Sequence, residues 1–468
     1  MPAEKPHPSL PHSVVEETSA ESFSPVPSVK ILLFPFALTC VFSVQLFRLG
    51  FPDVVGNYPF HYPDSFDWIV NALSYVERFL YGRHDLDITV RQPLFPALIA
   101  VSELIRLPQV VLALLPLTFF GSIAAFFQIG RLLRVRSAVL VVGTVVLSLS
   151  YPLAFYSFYY MADPFAVMLM LWSAVFYVQA LTDDSRETSS AFRGAVCACF
   201  AAITQLYGLF PTLVFSGLTF LRGLVQRSPR KVFLGCAVLC VALFGQGLWM
   251  IAKKVLFGSF LASKVVQFGY LQLTLANLDF YRTVWPIYFA PLLAICVLLL
   301  PFARFAKFPK AQRSAALYLV LLIGALTSFV FFYQVQDSRF TTYFIYLVYA
   351  LTLFGADLLT RKKLPGWYLV LPTAVGGYLS FTHTDYLDRP NWAPYADAVS
   401  HPRAQLETNI FTRLFASEPA ERLKDNPCLA RSPATGEINI PESCLQLPVH
   451  IYVNQSLKFY LDYRSLTK

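Results

Sequence analysis

Two aspartates three residues apart open the stretch DSFDWIVNALSYVERFLYGRHDLDITVRQPLFP, which runs from Asp64 to Pro96. An arginine bounds its proline-rich end, Arg91-Gln92-Pro93-Leu94-Phe95-Pro96. A carboxylate can take the proton of an attacking hydroxyl as a general base. A guanidinium can hold a phosphate leaving group through paired hydrogen bonds. Asp64, Asp67 and Arg91 together suit the displacement of a phosphate by a hydroxyl. The same residues have plainer uses. Asp is a favoured N-cap, and an acid three residues on completes a pattern close to a capping box. Arg91 could pair with Asp85 or Asp87 as an exposed ion pair of little energetic value. Residue types alone leave both readings open.

These side chains need an element to carry them. Phe66, Ile69, Val70, Leu73, Val76 and Leu80 recur at helical spacing, with Asp64, Asp67, Asn71, Ser74, Tyr75 and Arg78 mainly on the other side. That pattern predicts an amphipathic helix lying along a membrane surface, not across it. The membrane itself follows from composition. Hydrophobic residues make up 56% of the 468 and charged residues 14%, with a mean hydropathy of +0.54. Soluble domains carry about 25% charge. Apolar runs of roughly 18–25 residues alternate here with short polar punctuation, as bilayer-spanning helices do. The chain reads as an all-α polytopic membrane protein.

The net charge of +9 is concentrated in short loops, at Arg131, Arg134 and Arg136; Arg186 and Arg193; Arg222, Arg227, Arg230 and Lys231; Arg304, Lys307, Lys310 and Arg313; and Arg361, Lys362 and Lys363. This is the cytoplasmic bias of membrane topology and not a nucleic-acid footprint. With those loops inside, the chain threads through about eleven spans, near 29–49, 108–130, 137–157, 164–182, 193–206, 208–222, 232–252, 285–303, 314–334, 341–359 and 366–381. Residues 1–28 form a polar, disordered cytoplasmic tail, and the first span is an uncleaved anchor. The transmembrane domain covers 29–381, with a first outer loop at 50–107, and 382–468 form a small outer domain of mixed helix and strand. Cys428 and Cys444 in that outer domain could form a disulfide. Cys40, Cys197, Cys199, Cys236, Cys240 and Cys296 lie in apolar runs as small buried hydrophobes. Lys253, Lys254 and Lys264 fall outside against the charge bias, either as a phosphate site or as snorkelling anchors. His61 and His84 lack a ligand constellation, no Walker, Rossmann or zinc motif is present, and no metal or cofactor is indicated.

At this point the residues resemble a family. DSFDWIVNA, followed by Gly82-Arg83 and by RQPLFP, is similar to the first luminal loop of the GT-C glycosyltransferases. The likeness is to the bacterial branch related to protein O-mannosyltransferases and lipid A aminoarabinose transferases. That branch closes the loop with an (R/K)PPLYP-like turn, and Gln92 here replaces one proline. FYYMADPFAVMLML resembles the family's second outer-facing acidic site, at Asp163. AAITQLYGLFPTL resembles its hairpin tip, with Gln205 in place of a base. DSRFTTYFIYLVYALTLFG resembles its late arginine-containing motif, at Arg339. The resemblance runs over residues 29–360 and does not reach the carboxyl tail.

The resemblance implies a GT-C bundle that moves a sugar from a polyprenyl-phosphate donor to an acceptor hydroxyl on the outer face, with inversion. Asp64 would be the general base, and Asp67 or Asp163 would orient hydroxyls. Arg91 and Arg339 would hold the lipid phosphate, and Gln205 and Tyr207 would line the cavity. The plainer roles are a helix start for Asp163, which precedes Pro164, and an interfacial anchor for Arg339. Expected partners are the lipid-linked donor, an acceptor glycan, lipid or protein, and membrane lipids. The expected location is a bacterial inner membrane with a periplasmic site, or the ER membrane in a eukaryote. A lipid-linked sugar transporter or flippase would instead place ionisable residues inside several spans and show internal repeats. A non-enzymatic envelope-assembly protein would not need Asp64, Arg91 and Arg339 on one side.

Overall fold

A computed structural model describes residues 91–105, 109–148, 161–257, 310–332 and 338–360, with isolated positions elsewhere. Asp64, Asp67, Lys264, Cys428, Cys444 and the whole carboxyl-terminal segment 382–468 lie outside the described residues. Within them the chain is helical, without a β-strand. The helices are α1 (Leu94–Leu104), α2 (Gln109–Leu132), α3 (Ser137–Ser148), α4 (Ala162–Thr182), α5 (Glu187–Ala202), α6 (Phe210–Val225), α7 (Pro229–Phe257), α8 (Lys310–Phe332) and α9 (Ile345–Thr360). Short 3-10 turns at Leu206–Leu209 and Ser338–Tyr343 lead into α6 and α9. The predicted spans over these stretches coincide with helices and differ mainly at their ends. The run 193–222 divides into α5 and α6, as expected for two short segments sharing one apolar stretch.

Five described helical segments are long and apolar enough to cross a membrane: Ala113–Leu132, Ala162–Thr182, Leu206–Val225, Pro229–Val255 and Gln312–Phe332. They form an inner and an outer layer. About two-thirds of the apolar window is buried in α2 (67%) and α4 (61%), but only 28% in α7. Phe233, Phe244, Leu248, Ile251 and Val255 of α7 are exposed, which lipid tolerates because its tails are as apolar as a protein core. Cys236 and Cys240 are also exposed on α7. They are therefore not the buried hydrophobes that their apolar run suggested.

Helix α4 is the hub, packed against α2, α5 and α8. Small residues bring the helices close, and single polar side chains join them across the contact, as membrane bundles require. A Cβ on Gly194 of α5 would lie 2.8 Å from the Tyr177 ring, and Ser173 Oγ donates to the Gly194 carbonyl at 2.9 Å. On the opposite flank a Cβ on Gly121 would lie 2.5 Å from Met168 Sδ, and the Trp172 indole donates to the Gly121 carbonyl at 3.1 Å.

Alternation of the helices sorts the polar residues to two ends. The start of α4, the tip between α5 and α6 and the start of α9 share one end, joined by hydrogen bonds from Tyr207 and Tyr343 to Asp163. The described basic loops share the other, where Arg136 pairs with Asp357 and Arg230 reaches Thr188 at 3.4 Å.

Candidate active site

Asp163 lies in the first turn of α4 and is 7% exposed. A carboxylate there is favoured by the helix dipole, but its side chain does not cap the helix. The Tyr343 hydroxyl donates to its Oδ1 at 2.5 Å. The Tyr207 hydroxyl donates to the same oxygen at 3.3 Å and lies 3.4 Å from the Asp163 carbonyl oxygen. The two phenol rings stack, with centroids 3.8 Å apart and planes 22° from parallel. Hydrogen bonds to an ionised acceptor are roughly twice as strong as neutral ones, so the tyrosines fix the carboxylate from one side. Among the described residues nothing donates to its Oδ2. Asp163 is part of the wall of a cleft.

The cleft lies between α2, α4 and the entry to α9, with Asp163, Arg339, Thr118, Ser122, Ser157 and Tyr346 among its lining residues. Its free volume of about 20 Å³ accommodates a single water-sized group. Arg339 is half-buried, packs over the Phe340 ring at 5.0 Å and points Nη1 at Met161 Sδ, 3.6 Å away. Thr342 Oγ1 donates to the Arg339 carbonyl at 2.6 Å and holds the short helical turn that carries the arginine. A buried aspartate and an arginine thus line one small cleft. That arrangement can orient hydroxyls and steady an anion.

The segment that leads into α1 meets the bundle at the α5–α6 tip, where the Leu94 N–H donates to the Ile203 carbonyl at 3.0 Å. Trp68, Asn71 and Ala72 are helical and buried. Asn71 is assigned to the polar face by periodicity, but it faces protein and not solvent: its Oδ1 accepts the Arg91 backbone N–H at 2.9 Å. The Arg91 guanidinium carbon lies 5.3 Å from the centre of the Trp68 ring, whose edge meets Phe95 at a centroid distance of 5.7 Å. Gln205 starts the turn that delivers Tyr207, and its carbonyl accepts from Gly208 at 2.9 Å. Lys253 is buried near the end of α7, on the face of Gln246 and Trp249, and Lys254 is exposed. Among the described residues no cluster of three His, Cys, Asp or Glu side chains could hold a metal ion.

The structure therefore joins Asp163 to Tyr207 and sets Arg339 in the same cleft, as the sequence placed them on one face. Tyr343 was not singled out in the sequence. Its signal is a phenol four residues after Arg339, at the start of a predicted span. Gln246 was also missed, although an amide isolated in the apolar run LFGQGLW is unusual in a span.

No family model matches the sequence, and no curated protein matches it. Among solved structures, the fold is similar to the crystal structure of ArnT from Cupriavidus metallidurans bound to undecaprenyl phosphate. The match has a TM-score of 0.53 at 14% sequence identity, covering 94% of this chain and 77% of that one. At that identity the likeness is one of fold alone: the chain is a multi-pass membrane protein with a helical fold similar to that of ArnT.

Proposed function

We propose that this protein is a membrane glycosyltransferase that moves a sugar from a polyprenyl-phosphate donor to an acceptor hydroxyl at the outer face of the membrane, with inversion. The acceptor oxygen forms a bond to the anomeric carbon while the bond from that carbon to the phosphate oxygen breaks on the opposite face. Asp64 takes the acceptor proton, and the polyprenyl phosphate departs with the bonding electrons. Asp163 and Asp67 orient hydroxyls of sugar or acceptor. Arg91 and Arg339 stabilise the charge developing on the phosphate, with Lys253, Lys254 and Lys264 as further cations. Tyr207 and Tyr343 hold Asp163, and Gln205 shapes the turn that presents Tyr207. Donor and product keep their lipid tails in the bilayer, so the chemistry belongs at its surface. The acceptor is a hydroxyl of a glycan, lipid or protein. The site faces the periplasm in a bacterial inner membrane, or the lumen of the ER in a eukaryote.

The observation that carries this reading is the Asp163 carboxylate, held by two phenols on one oxygen and lining the same cleft as Arg339, in a fold similar to that of a protein solved bound to undecaprenyl phosphate. Passage of a headgroup across the membrane would call for ionisable groups along a path. In α2, α4, α6, α7, α8 and α9 the described charges instead stand near helix ends.

The test is sugar transfer by purified protein in detergent, from radiolabelled polyprenyl-phosphate sugars to a membrane extract, with wild type beside Asp64→Asn. Asn still caps a helix but takes no proton. Transfer by wild type and at least about a hundredfold less by a folded Asp64→Asn is the expected result. Equal transfer by both would move the base to Asp67 or Asp163. No transfer from any donor would overturn the transferase.

A further inference from the structure

The turn that closes the first outer loop lacks one of the prolines its motif resembles, and Gln92 stands there. Proline fixes φ near −65°, so a glutamine leaves the backbone freer at this step. The side chain supplies a different restraint. Gln246, on the buried face of α7, donates from Nε2 to Gln92 Oε1 at 3.1 Å and to the Ala202 carbonyl at 2.5 Å. An amide nitrogen carries two hydrogens, and both are committed. This sets the orientation of the carboxamide and leaves Gln92 as acceptor.

The acceptors on the bundle side come from the end of α5. The last carbonyls of a helix have no partner within it. Here the Ala202 carbonyl takes Gln246, and the carbonyl of Ile203 takes the Leu94 N–H at 3.0 Å. Close approach of α7 and α5 makes this possible: a Cβ on Gly245 would lie 2.7 Å from Cys199 Sγ and 2.9 Å from Ile203 Cγ2. Four residues beyond Ile203 the chain reaches Tyr207, which holds Asp163. Arg91, one residue before Gln92, is tied by its own N–H to Asn71. A chain of contacts thus runs from the Arg91 turn through Gln92, Gln246 and the α5–α6 tip to the Asp163 carboxylate.

We propose that Gln246 is a positioning residue: its carboxamide clamps Gln92 to the end of α5 and so fixes Arg91 relative to the Tyr207–Asp163 pair. The clamp touches no reacting atom. Its role in transfer rests on the glycosyltransferase reading, whereas its role in holding the loop does not. Loosening it lets the Arg91 turn move while α4 and its phenols stay in place.

The test uses full-length protein in detergent with Gln246→Met, which keeps the bulk but donates nothing, Gln92→Met, and Gln92→Glu, which keeps the acceptor. Amide exchange read by mass spectrometry over residues 91–97 should quicken about tenfold in both methionine variants, the ratio expected from losing a hydrogen bond or two, with residues 162–182 unchanged. Gln92→Glu should exchange like wild type. In the transfer assay the methionine variants should raise donor KM about tenfold with a smaller change in kcat, and Gln246→Met with Gln92→Met should be no worse than either alone. A merely structural amide would lower the folded yield and leave the donor KM of the folded fraction alone. Unchanged exchange over 91–97 in both methionine variants overturns the clamp, whether or not transfer is seen. Altered exchange with unchanged donor KM overturns its role in the active site. If wild type transfers no sugar, the exchange result still decides the clamp, and only the transferase reading falls. Should Gln246→Met fail to fold, Gln92→Met, in the turn itself, carries the same test.

Discussion

Asp163 and Asp357 lie at opposite ends of the bundle, both buried, and the protein answers the two carboxylates differently. Asp357 is fully buried in α9. Its Oδ1 pairs with Arg136 Nε, and its Oδ2 accepts the Arg136 backbone N–H at 3.2 Å. Both of its oxygens are engaged by one residue, a full opposite charge included, and the result ties the α2–α3 loop to the last described helix. Asp163 instead receives two neutral phenols on one oxygen and lines a small cleft that Arg339 shares. A carboxylate that is saturated serves architecture. A carboxylate that is fixed through one oxygen at the wall of a cleft can bind something else.

Substituting asparagine at each position separates the two roles. Asp163→Asn keeps an acceptor for the phenols and removes the charge. We expect transfer to fall by about a hundredfold or more, in the range for removing a positioned polar group of an active site, with thermal stability close to wild type. Asp357→Asn should do the reverse. Removing one partner of a buried pair costs about 3–5 kcal/mol, and the Arg136 side chain is 33% exposed, so solvent screening reduces this to roughly 2 kcal/mol. The melting temperature should drop while the folded fraction transfers sugar at the normal rate. Equal transfer by wild type and Asp163→Asn, or a stable but inactive Asp357→Asn, would erase the distinction.

The contrast also marks what the sequence could reveal. Span positions, the sorting of basic loops to one end and the placing of Asp163, Tyr207 and Arg339 at the other were legible, because bilayer thickness and the positive-inside bias act on contiguous runs. Long-range partners were not. Tyr343 meets Asp163 across 180 residues, Gln246 meets Gln92 across 154 and Arg136 meets Asp357 across 221. No periodicity within a run chooses between Tyr343 and Tyr346 as the ring that reaches the carboxylate. Asn71 teaches the same point at short range. Helical spacing sets it on the polar face, but a polar face can be covered by protein, and here it is buried against the loop's own closing turn.

The phenols sharpen the comparison at intermediate scale. Tyr343 donates to Asp163 at 2.5 Å and Tyr207 at 3.3 Å, so the first is the better-made bond. Tyr343→Phe should reduce transfer about tenfold, consistent with losing a hydrogen bond to a charged group of about 1.5–3 kcal/mol, and Tyr207→Phe should reduce it less. Both keep the ring stack and hence most of the packing. Transfer rates of the two variants, measured beside their melting curves, check the order. If Tyr207→Phe proves the more damaging, the shared oxygen is held mainly from the α5–α6 tip.

The smallest effect is expected at the basic end, where the chain accepts backbone strain. Arg134 and Arg227 take positive φ, 61° and 52°, just after α2 and α6. The N–H of each following residue closes the helix end, Val135 on the Gly130 carbonyl at 3.0 Å and Ser228 on the Gly223 carbonyl at 2.8 Å. This is the left-handed C-terminal cap where glycine is usual, and a side chain there costs about 1–2 kcal/mol. Arginine at both positions gives up that stability and keeps two charges at the basic end, and positive loop charges are what orient membrane spans. Arg227→Gly should therefore raise the melting temperature by roughly 1–2 °C without changing transfer, since Arg227 lies at the opposite end of the bundle from Asp163. A lower melting temperature would mean that the Arg227 side chain makes a stabilising contact worth more than the strain it imposes. The basic end would then be held by its charges as well as oriented by them.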